Sequence, residues 1–235
     1  MKKTAKNIIR SQVNHPEWSS NAVIYEINIR QFSKEGTLSA IINQLDYLKE
    51  LGVVVLWLMP VHSIGEVNRK GTLGSYYSVK DYYAVNPEFG DLQDFKRLVK
   101  EVHQRGMYII IDWVANHTSW DSQLAMEHPE WFKKDEHGNF LPPIQEWSDV
   151  IALDFNNQEL WQYMLDAMEY WVKETDIDGF RCDVAYMIPV EFWNQARRRL
   201  EQIKPVFLLA ESAYPELHLK AFDMTYCWSL HEYFN

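Results

Sequence analysis

The stretch TDIDGFRCDVA, residues 175–185, carries an arginine and an aspartate two positions apart on a predicted β-strand. Residues two apart on a strand point to the same side, so the Arg181 guanidinium and the Asp183 carboxylate are expected to project together. A neighbouring arginine lowers the pKa of a carboxylate, typically by about 1–3. Asp183 is therefore predicted to be an ionised, oriented carboxylate, which suits a nucleophile. A structural ion pair at a strand end is the alternative interpretation.

The sequence on both sides of this stretch alternates between apolar strands and amphipathic helices. Residues 53–59 and 107–114 are apolar at nearly every position, as in strands buried on both faces of a parallel sheet. Repeated strand and helix units imply a parallel sheet with helices outside it. The predicted strands are 22–29, 53–59, 107–114, the strand around Arg181, 205–210 and 222–229, and helices are predicted after Gly36, from Asp91, from Asn157 and over 190–203.

Polar side chains gather where the predicted strands end, with Asp112 after the third, Asp183 on the fourth and Glu211 after the fifth. In a (β/α)8 barrel the active site lies at that end of the strands. A doubly wound sheet is disfavoured, because no G-x-G-x-x-G or phosphate-loop motif follows any strand. The predicted fold class is α/β, an incomplete TIM (β/α)8-type barrel with about five to six βα units.

Three consecutive regions are expected. Residues 1–117 form the first part of the barrel with strands 1–3, and residues 151–235 continue it with strands 4–6. Between them, residues 118–150 are charged, contain tryptophan and proline, and are much longer than an ordinary βα loop, so they are predicted to be a short lid. The connection from residue 62 to about 90 is predicted to be irregular, because it is rich in glycine, proline and serine.

Charge and composition limit the possible partners and compartments. The net charge of −10 argues against nucleic acid or an anionic membrane as partner and is compatible with a neutral ligand. Aromatic residues make up 14% of the chain, and those in loop-like stretches, such as Trp147, could stack on sugar rings. Cys182 and Cys227 do not suggest a disulfide framework, and the basic N-terminus lacks a continuous apolar run of signal-peptide length, which predicts a cytoplasmic protein.

Two carboxylates on neighbouring strand ends are the apparatus that glycosidic bond cleavage requires. Asp183, beside its arginine, would be the nucleophile. Glu211 leaves the apolar strand PVFLLA, residues 205–210, and an apolar environment favours the protonated form that a general acid needs.

Several motifs resemble the α-amylase family, glycoside hydrolase family 13. DWVANH (112–117), GFRCDVA (179–185) and LLAES (208–212) resemble its first three signatures in order. IALDFNN (151–157) is similar to the motif at the end of the lid domain, and residues 74–90 are similar to the loop after the second strand. The resemblance implies a retaining hydrolase of α-1,4-linked glucans, with an α-glucan or malto-oligosaccharide as substrate.

The same resemblance implies residue roles. Arg181 would orient Asp183, and Glu211 would act first as acid and then as base. Tyr77 would stack on the sugar at the cleavage site, His117 would hydrogen-bond that sugar, and Asp112 would support the group. Family members use no organic cofactor.

Asn116 matches a residue that binds a structural calcium in many members. No run of acidic residues in the predicted lid completes a calcium cage, and members without calcium exist, so metal binding stays open.

The chain departs from the family pattern in lacking the third carboxylate, an aspartate in a histidine-aspartate pair near the seventh strand. The isolated chain is therefore expected to be nearly inactive, and the open strand edges are expected to invite association. Two alternatives remain: a transglycosylase or glucosyl isomerase that uses the same residues, and a non-catalytic glucan-binding or remnant polypeptide. Chain-length preference and endo or exo action are left open.

Overall fold

The computed structural model describes residues 11–234, and six of its strands form one parallel sheet in the order β1-β2-β5-β8-β9-β10. The strands are β1 (Ile24–Ile27), β2 (Val55–Leu58), β3 (His62–Ile64), β4 (Val79–Val85), β5 (Tyr108–Trp113), β6 (His117–Ser119), β7 (Val150–Ala152), β8 (Gly179–Cys182), β9 (Phe207–Ala210) and β10 (Met224–Thr225). The helices are α1 (Ile29–Phe32), α2 (Leu38–Ile42), α3 (Leu45–Glu50), α4 (Leu92–Gln104), α5 (Gln123–Glu127), α6 (Gln158–Thr175), α7 (Val190–Leu200) and α8 (Trp228–Phe234).

The strands of the parallel sheet are joined in one direction. Each strand lies beside the next parallel strand along the chain, and helices α2 and α3, α4, α6 and α7 stand in the first four connections. Sequential neighbours with helical crossovers are the topology of a (β/α)8 barrel. The predicted fold class, an incomplete barrel of this type, is confirmed, with six such strands in the described part of the chain.

The helix starts that the sequence indicated are capped as predicted. Asp91 accepts hydrogen bonds from the backbone N–H groups of Gln93 and Asp94 and forms a capping box at the start of α4. The Asn157 side chain accepts hydrogen bonds from the backbone N–H groups of Glu159 and Leu160 at the start of α6. The helix predicted after Gly36 is instead two short helices, α2 and α3, because the chain turns between Ile42 and Leu45.

The structure corrects two sequence predictions. The connection 62–90 is not irregular throughout, because β3 and the seven-residue β4 pair as an antiparallel hairpin. The valines and tyrosines of β4 favour a strand, but the glycines and serines before them led to the prediction of irregular structure. The sixth strand predicted over 222–229 is present but much shorter: β10 holds only two residues, and Trp228–Phe234 is helix α8, whose residues are exposed.

The sheet has two different apolar faces. Its outer face, with residues such as Leu56 and Ile109, belongs to the large core that the helices complete. Its inner face forms a separate small cluster around Val55, Ile110 and Phe207, which alternate with the outward residues along their strands. Side chains that follow the inner positions toward the carboxyl ends therefore meet above this cluster.

An N-terminal arm, residues 11–21, crosses the amino-terminal end of the sheet. Its first residues are held by the segment before β10: the Gln12 N–H donates to the Leu219 carbonyl at 2.8 Å, and His15 Nδ1 lies 2.8 Å from Asp223 Oδ1. The arm then leads into β1, so it joins the two edges of the parallel sheet.

Trp18 of this arm packs on the first residues of two strands. Its ring stacks on Tyr108 with centroids 4.0 Å apart and lies 5.5 Å from the ring of Phe207. The arm thus covers the amino-terminal end of the inner apolar cluster and leaves the carboxyl end accessible.

The segment 118–150, together with His117 and the end of β7, folds back on the β3–β4 hairpin. Strand β6 pairs antiparallel with β7, and the Thr118 hydroxyl donates to the Val79 carbonyl at 2.6 Å. Its function as a lid stays a prediction. In the span 11–234, none of the helices combines the length and the apolar character that crossing a membrane requires.

Candidate active site

The polar side chains at the carboxyl end of the sheet are placed by strand register. Asp112 on β5 is the register partner of Arg181 on β8, so both point to the inner face at the same level. Asp183 follows β8 on the same side, and Glu211 follows directly after β9. Parallel strands thus bring four residues from three chain segments to one place.

Arg181 joins all three carboxylates. Its Nη1 donates to Asp112 Oδ1 and to Asp183 Oδ1, both at 2.8 Å, and its Nη2 lies 2.9 Å from Glu211 Oε2. The guanidinium is buried, so these contacts form in a low-dielectric environment where charge-assisted hydrogen bonds are strong. The predicted pairing of Arg181 with Asp183 is observed, and it is extended to two further acids.

Aromatic rings enclose the same guanidinium. The Arg181 carbon Cζ lies 5.1 Å from the ring centroid of Trp57, 5.8 Å from that of Tyr77 and 5.7 Å from that of Tyr226. Arg181 Nε also donates to the Tyr226 hydroxyl at 3.1 Å. Trp57 and Tyr226 were missed by the sequence analysis. Trp57 lies in a strand whose sequence is apolar on both faces. Only its register would have indicated a role, because its partner on β5 is Ile110, two residues before Asp112 on the same face.

Asp112 lies beneath the cavity and accepts from three donors. The Trp57 indole N–H and the Tyr77 hydroxyl both donate to its Oδ2 at 3.2 Å, and Arg181 occupies its Oδ1. Burial raises the pKa of Asp112 to about 6, although Arg181 and these hydrogen bonds act in the opposite direction. Asp112 does not line the cavity, so its contacts orient Tyr77 and Arg181 rather than a ligand.

The pKa of Asp183 differs from the sequence expectation. Burial raises the pKa of Asp183 well above its ordinary value, and the negative charge of Asp112 adds to that rise. Arg181 acts in the predicted direction but is outweighed, so the predicted net lowering is wrong. The physical reason is the burial of the carboxyl group, to which the nearby charge of Asp112 adds, and the sequence shows neither.

Glu211 is held from the other side by the backbone. The Val184 N–H donates to Glu211 Oε2 at 2.9 Å. Val184 has φ 36° and ψ 46°, the left-handed region that a β-branched residue rarely adopts. Strain of this kind persists where surrounding structure enforces it, and it is common at functional sites. Here it aims an amide at one oxygen of Glu211.

A cavity of about 530 Å³ opens above these acids, within the range of about 300–1,000 Å³ typical of small-molecule sites. Five of the predicted site residues line it: Tyr77, His117, Arg181, Asp183 and Glu211. The exposed fraction of the side chain is 22% for Glu211 and 9% for Asp183. Burial lowers the pKa of His117 to about 4, so near neutral pH its imidazole is uncharged.

Asn116 does not join a group of metal ligands. Its side-chain nitrogen lies 3.2 Å from His117 Nδ1, and across residues 11–234 no group of three or more acidic, histidine or cysteine side chains is arranged to hold a metal ion. Calcium prefers six to eight oxygen ligands, including carboxylates. Amide and backbone carbonyl oxygens also bind calcium, so a metal at Asn116 stays a prediction, and no step of the chemistry is assigned to it.

Comparison with known proteins gives one consistent match. The family model described as "Alpha amylase, catalytic domain" matches residues 10–147 and 128–211. Alpha-amylase 3 of Dictyoglomus thermophilum is 32% identical over 233 residues, which cover 84% of this chain and 44% of that protein. The intracellular maltogenic amylase of Bacillus subtilis is also 32% identical over 233 residues, which cover 83% of this chain and 38% of that protein.

The solved structure of an α-amylase from Lactobacillus plantarum superimposes with a TM-score of 0.87 and 43% sequence identity, over 91% of this chain and 54% of that one. The chain thus spans 38–44% of the length of the two curated relatives and about half of the solved structure.

Proposed function

Because this chain belongs to the α-amylase catalytic-domain family, we propose that its site cleaves α-1,4-linked glucans with retention of anomeric configuration. The observation that carries the proposal is the contact of one buried guanidinium, Arg181, with Asp112, Asp183 and Glu211 at 2.8–2.9 Å. This contact supports the proposal because it holds a nucleophile and an acid on the same guanidinium at the floor of a cavity.

In the first step, an Asp183 oxygen attacks the anomeric carbon while the bond from that carbon to the leaving oxygen breaks. Glu211 gives its proton to the departing oxygen, and a covalent glycosyl-enzyme forms on Asp183. In the second step, Glu211 takes a proton from water, the water oxygen attacks the anomeric carbon, and the bond to Asp183 breaks. Both carboxyl groups return to their starting states.

The order of the two roles is supported by the surroundings of each acid. Asp183 is nearly enclosed and bound to Arg181, so its attacking oxygen is fixed in direction. Glu211 is more exposed to the cavity, where it can exchange protons with the leaving group and with water. A neutral His117 and the ring of Tyr77 line the same cavity, and we assign them to the hydroxyl groups and the apolar face of the bound sugar.

Retention is supported by the way the two acids are connected. Retaining glycosidases hold their carboxyl groups about 5–5.5 Å apart, whereas inverting enzymes need a wider gap for a water molecule. Asp183 and Glu211 bind Nη1 and Nη2 of the same guanidinium, which favours the shorter spacing.

The test is covalent trapping with an activated fluorinated α-glucoside, followed by intact-protein and peptide mass spectrometry. We expect one glycosyl adduct on the peptide that contains Asp183. Asp183→Asn should abolish it, while the exposed Asp46→Asn serves as control and should keep it. A folded sample that forms no adduct would contradict the proposal. Product analysis with maltotriose separates hydrolysis from transfer to a second sugar.

The substrate and the compartment complete the proposal. We assign malto-oligosaccharides as substrates, without an organic cofactor, because the B. subtilis relative is a maltogenic amylase and the cavity presents aromatic and polar groups. Its two cationic side chains, Arg181 and Lys70, both contact carboxylates. That relative is described as intracellular, which supports the same location for this protein. Cell fractionation with an antibody to the chain tests the location.

A further inference from the structure

The edge strand β10 brings Tyr226 to the inner face of the sheet. Met224 and Thr225 pair with Leu209 and Ala210 of β9, and Tyr226 follows directly. Met224 and Tyr226, two positions apart, both pack against the small inner cluster, as the alternation of a strand requires. Tyr226 does not line the cavity above the acids, so it reaches the site from the side of the sheet and not from the side of a ligand.

The hydroxyl of Tyr226 binds the one nitrogen of Arg181 that the acids leave unused. A guanidinium has five N–H donors, of which one is on Nε. Nη1 donates to Asp112 and Asp183, and Nη2 lies 2.9 Å from Glu211. Nε donates to the Tyr226 hydroxyl at 3.1 Å. All three nitrogens of the guanidinium therefore have a partner, and only the partner of Nε is uncharged.

The contact at Nε fixes the plane of the guanidinium. Contacts at Nη1 and Nη2 hold two corners of this planar group, and the contact at Nε holds the third. The ring of Tyr226 lies 5.7 Å from the Arg181 carbon Cζ, and the ring of Trp228 packs on Tyr226 with centroids 5.2 Å apart. The orientation of this plane in turn sets the directions in which Asp183 and Glu211 are held.

Tyr226 accepts this hydrogen bond without adding a charge to the site. Burial raises the pKa of Tyr226 to about 12, although Arg181 acts in the opposite direction. Its side chain is therefore neutral near pH 7. A neutral acceptor holds Arg181 in place and leaves the positive charge of the guanidinium to the three carboxylates.

We propose that Tyr226 is a positioning residue that acts on the reaction through Arg181, because its hydroxyl holds the guanidinium in the plane that orients Asp183 and Glu211. The inference rests on the proposed function. It makes the reaction depend on β10, a strand of two residues at the edge of the parallel sheet.

The test compares covalent trapping in the full chain and in Tyr226→Phe, which loses the hydroxyl and keeps the ring. The maximal rate of adduct formation should fall about tenfold, since a misplacement of about 1 Å can cost about 100-fold. The reagent concentration that gives half of that rate should stay within about twofold, because Tyr226 does not line the cavity. The acid-side midpoint of the trapping rate should move to higher pH, because Arg181 lowers the pKa of Asp183 and its contact is loosened.

Tyr76→Phe is the matched control. The Tyr76 hydroxyl is also partly buried and donates to Asn28 Oδ1 at 2.7 Å, outside the group of acids. This variant should keep the rate, the half-saturating concentration and the midpoint of the parent. An unchanged rate in Tyr226→Phe, an equal fall in both variants, or a change in the half-saturating concentration alone would overturn the inference. Urea unfolding of each variant establishes that the samples are folded.

Hydrogen exchange of the Arg181 Nε–H, followed by NMR, separates the positioning from the reaction. Exchange in Tyr226→Phe should be about tenfold faster than in the parent and in Tyr76→Phe, because the hydrogen bond that protects this proton is lost. A parent chain that forms no adduct would refute the proposed reaction, and the exchange rates would then decide the positioning by themselves. Equal exchange in the parent and in Tyr226→Phe would overturn the inference in either case.

Discussion

The backbone N–H of Val184 donates to Glu211 Oε2 at 2.9 Å from a left-handed conformation that valine rarely adopts. Val184 directly follows Asp183, so the residue after the proposed nucleophile orients the proposed acid. The two carboxyl groups are thus linked twice, once through the Arg181 guanidinium and once through a single peptide unit. We therefore expect a change in the backbone at Val184 to affect both acids.

The strain at Val184 leads to an inverted order of stability between two variants. At ordinary positions Gly is less stable than Ala by roughly 0.5–1 kcal/mol. At a left-handed position the β-carbon costs about 1–2 kcal/mol, and glycine avoids that cost. We expect Val184→Gly to unfold at higher urea concentration than Val184→Ala, by about 1 kcal/mol in free energy of unfolding. An order in which Val184→Ala is the more stable would argue against the strained backbone.

Replacement of Arg181 by lysine should be severe. A lysine ammonium cannot reach Asp112, Asp183 and Glu211 with the planar donors of a guanidinium, so buried carboxylates lose partners. We expect Arg181→Lys to lower the free energy of unfolding by about 3 kcal/mol and to abolish adduct formation. Arg199→Lys, which alters a more exposed pair with Asp166, is the control and should cost less than about 1 kcal/mol. Similar losses in both variants would contradict the shared role of Arg181.

Adduct formation should decline on the acid side at an unusually high pH. The nucleophile must be ionised, and burial raises the pKa of Asp183 above the ordinary value of about 3.9. The trapping rate, measured from pH 4 to 8, should therefore reach half its maximum well above pH 4. Asp112→Asn removes a negative neighbour that raises this pKa, so it should move the midpoint to lower pH. A midpoint that stays fixed or rises in Asp112→Asn would show that Asp112 does not influence Asp183.

His62 should make the folded chain sensitive to acid. Its imidazole is fully buried among the rings of Tyr82, Trp113 and Trp171, and neither ring nitrogen has a hydrogen-bond partner within residues 11–234. Burial lowers the pKa of His62 from 6.5 to about 3. The stabilising contribution is complete above about pH 6.5 and is lost as pH falls toward 3, since the unfolded chain binds the proton first.

The comparison between His62→Leu and the parent isolates this effect. Between pH 7 and 4 the parent should lose up to about 3 kcal/mol more free energy of unfolding than His62→Leu, from about 1.36 kcal/mol per tenfold change in proton affinity. Urea titrations at several pH values measure the difference. The exposed His137→Leu is the matched control and should follow the parent at every pH. Parallel curves for His62→Leu and the parent would remove His62 as the cause.

Trp18 should matter for stability and not for the site. Its ring stacks on Tyr108 and contacts Phe207 at the end of the sheet opposite the carboxylates. Trp18→Ala should lower the free energy of unfolding by about 2 kcal/mol, because a half-buried aromatic contact is lost. Trp18→Phe should lose less than half of that. The adduct yield on Asp183, measured on folded protein, should be unchanged, and a lower yield would connect the arm to the site.

The sequence predicted the barrel-type sheet because its strands are locally distinctive. Apolar runs such as 53–59 and 107–114 exceed what an exposed strand tolerates, and capping residues such as Asp91 and Asn157 mark the helices between them. The β3–β4 hairpin escaped prediction because its strands are half-buried and preceded by glycines. Helix α8 escaped because the aromatic residues near Trp228 favour strands when context is ignored.

The candidate site also contains some residues that the sequence could predict and others that it could not. Asp112, Asp183 and Glu211 could be predicted, since each is an acid placed immediately at the end of an apolar strand. Trp57 and Tyr226 could not, because their contacts with Arg181 depend on strand register and curvature. The predicted direction of the Asp183 pKa shift was also wrong, since burial and the proximity of a second acid are properties of the assembled site.

The N-terminal arm can dock only after most of the described residues have been synthesised. His15 and its partner Asp223 are separated by 208 positions, so on a ribosome that adds roughly 5–20 residues per second the arm waits about 10–40 s for its docking surface. During that interval Trp18 cannot complete its contacts with the rings of Tyr108 and Phe207. Closure of the amino-terminal end therefore follows the synthesis of nearly all of the described residues, and until then the nascent chain keeps that apolar end open to chaperones and to other nascent chains.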